Sequence, residues 1–236
     1  MEYKGYVCGS LEPILITEEF VSRLAKLDKI CDQFHLSLQS ACNDTLKRMN
    51  RRYTIEEFKE RVKLLRKAYP RVSLTTDVIV GFPGETDEEF NITYENLEEI
   101  KFYKMHIFKY SPRKGTRAAV MPNQIDGNVK EERSRKLIEL SDKNEKEYNK
   151  QYIGKEVEVL FEEPHLENGR RYMKGHTTNY LVVKVETNEN WENEIKQVKI
   201  AELAGLELIG TWTKGTLLFV QVFKLLGHSF THSSKY

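Results

Sequence analysis

Cysteine is scarce in this chain: Cys8, Cys31 and Cys42 are all that 236 residues contain. Three is too few and too odd for a disulfide framework, their spacing fits no compact metal motif, and each reads as a buried or half-buried thiol. His165, His228 and His232 are too scattered to add a metal site, so none is expected. No stretch approaches ~18 uninterrupted apolar residues, and the N-terminus has no charged segment leading into an apolar one. Neither a membrane span nor a signal peptide is therefore expected, and the default address is the cytoplasm. An excess of charge is also missing, with 37 Lys and Arg against 36 Asp and Glu. No global field draws in a polyanion, so any RNA contact has to come from local patches.

With 39% hydrophobic residues the chain can bury one sizeable core and a small second domain. Up to about residue 150, strand-like and helix-like segments alternate, the pattern of a parallel α/β sheet or barrel. The most informative run is Asp77 to Phe90. Val78, Ile79 and Val80 suit a strand covered on both faces; Gly81, Pro83 and Gly84 end it in a tight turn. Thr86 and Glu89 then form a capping box for a helix whose inner face carries Phe90, Tyr94 and Leu97. Such strand ends make active-site rims in β/α barrels, and this turn is expected to leave backbone N–H groups exposed to a ligand.

The rest of this half follows the same logic. Residues 3 to 8 read as a short strand, and Thr17 can cap a helix bearing Phe20, Val21, Leu24 and Leu27. Phe34 to Ser40 reads as a strand with one apolar face (Phe34, Leu36, Leu38) and one polar face (His35, Ser37, Gln39) turned to a barrel interior or mouth. A short basic helix or turn spans Asp44 to Arg52. Thr54 and Glu57 give a second capping box, for a helix stopped by Pro70. A strand from Val72 to Val80, a helix from Asp87 to Ile100, a strand from Phe102 to Tyr110, the basic loop Ser111 to Thr116 and a charged helix from about Val129 to Lys150 complete it.

Composition changes at Gly154. Short alternating strands (Val157, Val159, Phe161; Leu181, Val183, Val185; Val198, Ile200), with a turn at Asn168-Gly169, suggest a small antiparallel barrel over 151–212. The tail, 213–236, clusters Leu217 to Leu226 without helical or strand alternation.

Three stretches taken together carry a resemblance: His35 to Ser40, Thr45 to Thr54 and Thr76 to Thr86. The chain resembles the second half of the radical S-adenosylmethionine methylthiotransferases that modify tRNA beside the anticodon. Gln39-Ser40-Ala41-Cys42, the loop Ser111 to Thr116 and Glu132 to Leu137 are most similar to the branch acting on N6-threonylcarbamoyladenosine. The resemblance covers about residues 9 to 200. It implies an α/β fold, the C-terminal part of a (β/α)6 radical SAM barrel over 1–150, followed by a TRAM domain, a small β-barrel that holds tRNA. It also implies S-adenosyl-L-methionine and 4Fe-4S clusters as cofactors of the whole enzyme, and the tRNA anticodon stem-loop as partner. The cofactor supplies the hard radical chemistry that an inert adenine C2–H demands, while the protein orients it. The chain contains no Cys-x3-Cys-x2-Cys, no second-cluster domain and no Gly-Gly-Glu strand end, and Ala41 replaces the family's glycine. It is therefore expected to be a fragment or truncated product beginning near the third barrel strand, not competent for the radical step alone.

Ser37, Gln39 and Ser40 are the expected nucleoside or cofactor contacts, or else a self-satisfied polar lining. Asp77 is costly to bury unpaired and is expected to partner Lys47, Arg48 or Arg51, or to face substrate. Gly81, Phe82 and Gly84 are where the backbone is expected to approach the adenine ring. Lys47, Arg48, Arg51 and Arg52, the loop cations Arg113 and Lys114, and in the second domain Arg170, Arg171, Lys174, His176 and Tyr180 are candidate RNA contacts, cations on phosphate and Tyr stacked on a base. The bland alternatives are solvated basic faces and tyrosines packed inside the small barrel. A second reading makes the chain a non-catalytic RNA-binding protein using the module after Gly154. A third, an unrelated TIM-barrel enzyme, lacks an acid/base pair or phosphate loop to support it. A half barrel also exposes an edge strand and apolar interior, which favours aggregation unless covered.

Overall fold

Two β-sheets of different kinds organise the chain, one in each of two units; the computed structural model describes residues 5–212. The first unit comprises Met1–Gln151 with Thr178–Leu181, and the second Tyr152–Thr177 with Val182 onward. Among the described residues no helix is long and apolar enough to cross a membrane. The expectations for the tail, 213–236, lie outside the described residues.

The first unit alternates β1 (Tyr6–Leu11), α1 (Glu18–Leu24), β2 (Ile30–Gln39), α2 (Asn43–Arg48), α3 (Ile55–Ala68), β3 (Ser73–Val80), α4 (Asp87–Ile100), β4 (Lys104–Lys109) and α5 (Gly127–Lys150). The four strands pair in parallel in the order β1-β2-β3-β4. The helix starts are written in the side chains. Thr17 accepts from the Phe20 N–H, and both Thr54/Glu57 and Thr86/Glu89 close reciprocal capping boxes. Ahead of Pro70, Tyr69 leaves the helical region at φ −125°, as a residue preceding proline must.

One face of this sheet is the core. Phe34, Leu36 and Leu38 of β2 and Leu74, Val78 and Val80 of β3 are buried with Phe58, Val62 and Leu65 of α3, Leu97 of α4, and Leu137 and Leu140 of α5. The alternation read in β2 is present, with His35, Ser37 and Gln39 half-buried on the other face. Two boundaries differ from the reading. The strand β2 starts at Ile30, because the Ile30–Gln33 stretch pairs with β1 despite lacking a clean alternation. The first strand runs past its expected end at residue 8 to Leu11, its Tyr6 and Val7 stay exposed on the sheet edge, and the part of that expectation on residues 3 and 4 lies outside the described residues.

The second unit holds β5 (Glu156–Glu167), β6 (Arg170–His176), β7 (Val182–Glu186), β8 (Ile195–Ala204) and β9 (Glu207–Thr211), closed into a barrel in the order β5-β6-β7-β9-β8. Closure removes the sheet edges. The barrel is not wholly antiparallel as expected: β7 and β9 pair in parallel, because β8 intervenes in sequence and returns the chain beside β7 in the same direction. Asn168 and Gly169, both at positive φ (50° and 76°), make the tight β5–β6 hairpin. Gly175 is required for a different reason. A Cβ there would sit 2.1 Å from the Leu160 carbonyl oxygen, where β5 bulges against β6. Val159, Phe161, Met173, Val183, Val198 and Ile200 fill the interior, and Trp191 lies edge-on to Phe161 at 5.1 Å.

Candidate functional site

The face of the parallel sheet opposite the core is polar where β2, β3 and β4 run side by side. His35 of β2 lies opposite Thr75 of β3, and Asp77 opposite His106 of β4. The His35 ring joins them: its Nε2 is 3.4 Å from Asp77 Oδ2, and its Nδ1 is 3.0 Å from Thr75 Oγ1. Gln33 Nε2 donates to the same hydroxyl, and the His106 ring lies 5.8 Å from that of His35. Asp77 therefore pairs with His35, and not with Lys47, Arg48 or Arg51. Period-two geometry puts residues 33, 35, 75 and 77 on one face, whereas the three cations sit on a helix and loop beyond the end of β2.

Beyond the C-terminal ends of β2, β3 and β4 two clefts adjoin, of about 640 Å³ and 420 Å³, sharing Gln39, Ile79 and Ala118. Asp77, Tyr110 and Arg113 line the larger; Arg48, Arg51, Phe82 and Arg117 line the smaller. Strand ends are where parallel α/β folds place ligands, and Gln39, in the left-handed region at φ 70°, stands at the junction of the two.

The turn after β3 is built differently from expectation. Its N–H groups are used internally: Gly81 N–H donates to Glu85 Oε1 at 2.9 Å, Gly84 N–H to the Asn123 carbonyl at 2.9 Å and Glu85 N–H to the Phe82 carbonyl at 3.0 Å. Both glycines have positive φ (71° and 80°), but the space left by their missing side chains holds the Lys130 chain over Gly81 and the Arg48 guanidinium against Gly84. The approach these glycines permit is thus by the protein's own side chains. Phe82, edge-on to Tyr110 at 5.2 Å, is the residue of this turn that faces the smaller cleft.

A buried ion pair anchors the turn. Arg133 of α5 donates to Glu85 Oε1 at 2.6 Å and to the Glu85 carbonyl at 3.2 Å, reaches Asp87 at 2.7 Å, and lies 5.4 Å from the Phe90 ring. Burial pushes the Glu85 carboxyl above its ordinary range, an effect that the Gly81 N–H and Arg133 oppose. Nothing in helical spacing singled out Arg133, since a charged residue on a charged helix reads as solvated.

Several other candidates are held internally. Ser40 is buried, its hydroxyl against that of Thr93 and accepting from the Cys42 N–H. Ser37 lines neither cleft; its carbonyl and that of Leu38 accept from the Tyr53 hydroxyl at 2.7 Å and 2.8 Å, and burial pushes this phenol up to about 12. Arg48 grips Glu89 through both terminal nitrogens and donates its Nε–H to the Pro83 carbonyl, so its fork is already filled. The hydrogen bond from Arg48 holds the Glu89 carboxyl below its ordinary range. Arg51 donates to Glu12 at 3.0 Å, while Lys47 and Lys114 are exposed outside both clefts. In the barrel Arg170 faces Glu186 at 3.5 Å, Lys174 faces Glu207 at 3.1 Å, His176 faces Glu162 at 2.6 Å, and Arg171 donates to the Asn188 carbonyl. Tyr180 is exposed, in the segment grouped with the first unit. Arg117, on the wall of the smaller cleft, was missed because its loop reads as basic only as far as Lys114.

The Radical SAM superfamily profile matches residues 2–97. Among solved structures, coproporphyrinogen III oxidase (HemN) from Escherichia coli, a Radical SAM enzyme, superposes with a TM-score of 0.51 at 16% identity, over 59% of this chain and 32% of its own. That likeness is one of fold, and the parallel sheet of the first unit is a partial radical SAM α/β fold.

Closer kinship lies in sequence. Threonylcarbamoyladenosine tRNA methylthiotransferase MtaB from Bacillus subtilis (strain 168) is 46% identical over 193 residues, 81% of this chain and 43% of that protein. The tRNA-2-methylthio-N(6)-dimethylallyladenosine synthase of Alkaliphilus oremlandii (strain OhILAs) is 40% identical over 195 residues, 83% of this chain and 41% of that protein. The chain belongs to the radical SAM tRNA methylthiotransferase family. It spans less than half the length of these two relatives.

Radical SAM enzymes use S-adenosylmethionine with a 4Fe-4S cluster held by cysteine thiolates. The cysteines here do not fit such a cluster. Cys31 stands at the start of β2 and Cys42 beyond its end, a separation of roughly 30 Å at ~3.3 Å per residue. Burial raises the Cys8 and Cys31 thiols, the opposite of what a thiolate ligand needs, and Cys42 is buried.

Proposed function

We propose that this stretch forms the substrate side of a methylthiotransferase that places a methylthio group on C2 of N6-threonylcarbamoyladenosine at tRNA position 37, in the cytoplasm. The observation that carries the branch is the 46% identity to the Bacillus subtilis threonylcarbamoyladenosine enzyme, against 40% to the dimethylallyladenosine synthase over nearly the same length. In this reading the paired clefts receive the modified nucleoside and part of the S-adenosylmethionine. Gln39 offers amide groups to both, Phe82 and Ile79 present an apolar wall to a purine, and the His35–Asp77 pair fixes the polar floor. Cluster binding falls to residues outside this stretch, and no step of the reaction is assigned to its cysteines. The closed barrel is read as the tRNA-holding TRAM domain, with the anticodon stem-loop as ligand.

The carboxylate partners of Arg170, Lys174 and His176 argue against the barrel as a self-sufficient RNA binder, since each cation would have to trade an existing pair for a phosphate. Nucleoside mass spectrometry of tRNA from cells deleted for the gene tests the reading. Loss of the methylthio group from threonylcarbamoyladenosine, with methylthio-dimethylallyladenosine intact, is expected. Retention of the former overturns the assignment.

A further inference from the structure

We infer that Arg117 selects the substrate, by binding the carboxylate that distinguishes a threonylcarbamoyl adenosine from a dimethylallyl one. The inference rests on the proposed function and deepens it. The wall of the smaller cleft carries three guanidinium groups, those of Arg48, Arg51 and Arg117, and no carboxylate. Their states differ. The Arg48 fork is closed on Glu89 and Pro83, and Arg51 donates to Glu12. Arg117 is exposed and, among the described residues, its side chain makes no hydrogen bond or ion pair; it stands in a short 3-10 turn, Arg117–Val120, that presents it at the cleft mouth.

The rest of the wall suits a ligand with an apolar body: Ile79, Phe82, Met49 and Met121. The larger cleft mixes Asp77 with Lys109 and Arg113, whereas the smaller carries cations and no carboxylate, so the Arg117 end is the one that favours a carboxylate. A ligand matched to both is flat and uncharged where it crosses the Gln39 junction and anionic at the Arg117 end. Threonylcarbamoyladenosine has that order of groups: a purine, a urea that can exchange hydrogen bonds with a carboxamide, and a terminal carboxylate that a guanidinium can hold bidentately. A dimethylallyl substituent has no charge, and against it an unpaired Arg117 gains nothing.

The same anion chemistry could come from a backbone phosphate, and the experiment separates the two. The full chain and its Arg117→Ala and Arg117→Lys variants are titrated with three anticodon stem-loop RNAs, identical except for threonylcarbamoyladenosine, dimethylallyladenosine or plain adenosine at one position. The expected result is that the wild type prefers the threonylcarbamoyl RNA by roughly 10-fold or more, the range of a charge-assisted contact. Arg117→Ala abolishes that preference while leaving plain RNA binding unchanged, and Arg117→Lys restores part of it. A preference that survives Arg117→Ala overturns the inference and leaves the proposed function standing. Equal weakening toward all three RNAs assigns Arg117 to phosphate and also overturns it. A wild type that does not distinguish the RNAs, or binds none, overturns the threonylcarbamoyl reading itself, and this inference with it.

Discussion

Replacing Arg133 by Ala should be the most damaging single change in the first unit. Its guanidinium and the Glu85 carboxylate are each about nine-tenths or more buried, 6% and 2% exposed, and 2.6 Å apart. Removing one partner of a buried pair leaves an uncompensated charge and typically costs about 3–5 kcal/mol. The Asp87 contact adds little, because that carboxylate is 87% exposed. At roughly 2–4 °C per kcal/mol for a unit of this size, the midpoint should fall by about 10 °C. The assay is thermal unfolding followed at 222 nm, which reads the α-helices, all five of those among the described residues being in the first unit; the emission of Trp191 and Trp212 reads the second. The loss should ease in acid. A buried carboxyl whose folded pKa is raised costs stability at neutral pH, and the cost disappears as pH falls through the folded value toward the ordinary 4.5. A double variant, Arg133→Met with Glu85→Gln, keeps an acceptor for the Gly81 N–H and should recover most of the loss. A drop below about 1 kcal/mol for Arg133→Ala, or simple additivity in the double variant, would refute the argument that burial makes this pair interdependent.

Three further outcomes follow from the same geometry. Gly175→Ala forces a Cβ to within 2.1 Å of a backbone oxygen that cannot swing away, so the tryptophan-reported transition should lose about 3 kcal/mol; an unchanged transition would mean that the β5 bulge yields. Arg48→Met frees Glu89 and should cost about 2 kcal/mol at neutral pH. Because Glu89 titrates below its ordinary 4.5 when folded, that cost is present above pH 4.5 and should shrink toward zero as pH falls below it; a pH-independent difference would exclude the pair as its source. Tyr53→Phe removes the hydroxyl donated to Ser37 and Leu38 and should cost about 1 kcal/mol in urea unfolding, with no cost expected if those carbonyls rehydrate.

Local signals carried the fold a long way. Thr17, Thr54 and Thr86 mark the starts of α1, α3 and α4 because an N-cap is a contact between residues three apart, visible without any knowledge of tertiary structure. Pro70 and the Asn168-Gly169 turn are equally local. The strand pairing of the barrel is different. That β7 meets β9 in parallel depends on how five short strands close, and nothing in the alternation of any one of them encodes it.

The site divides along the same line. Gln39, Asp77 and Phe82 read as substrate- or cofactor-facing from the strand pattern and its turn, Arg113 only as a loop cation for RNA, and all four line the clefts. What sequence cannot show is which polar groups are already engaged. Asp77 has His35 for a partner, Arg48 has Glu89, and the N–H groups of the β3–α4 turn have Glu85 and Asn123, all through contacts distant in sequence or made across a turn. A cation counted from sequence is a charge, whereas a cation available to a ligand is one that folding leaves unpaired. On the wall of the smaller cleft that distinction removes Arg48 and Arg51, held by Glu89 and Glu12, and leaves Arg117, which lies in no recognisable motif. The discriminating residue of such a cleft is found by tracing each donor to its acceptor.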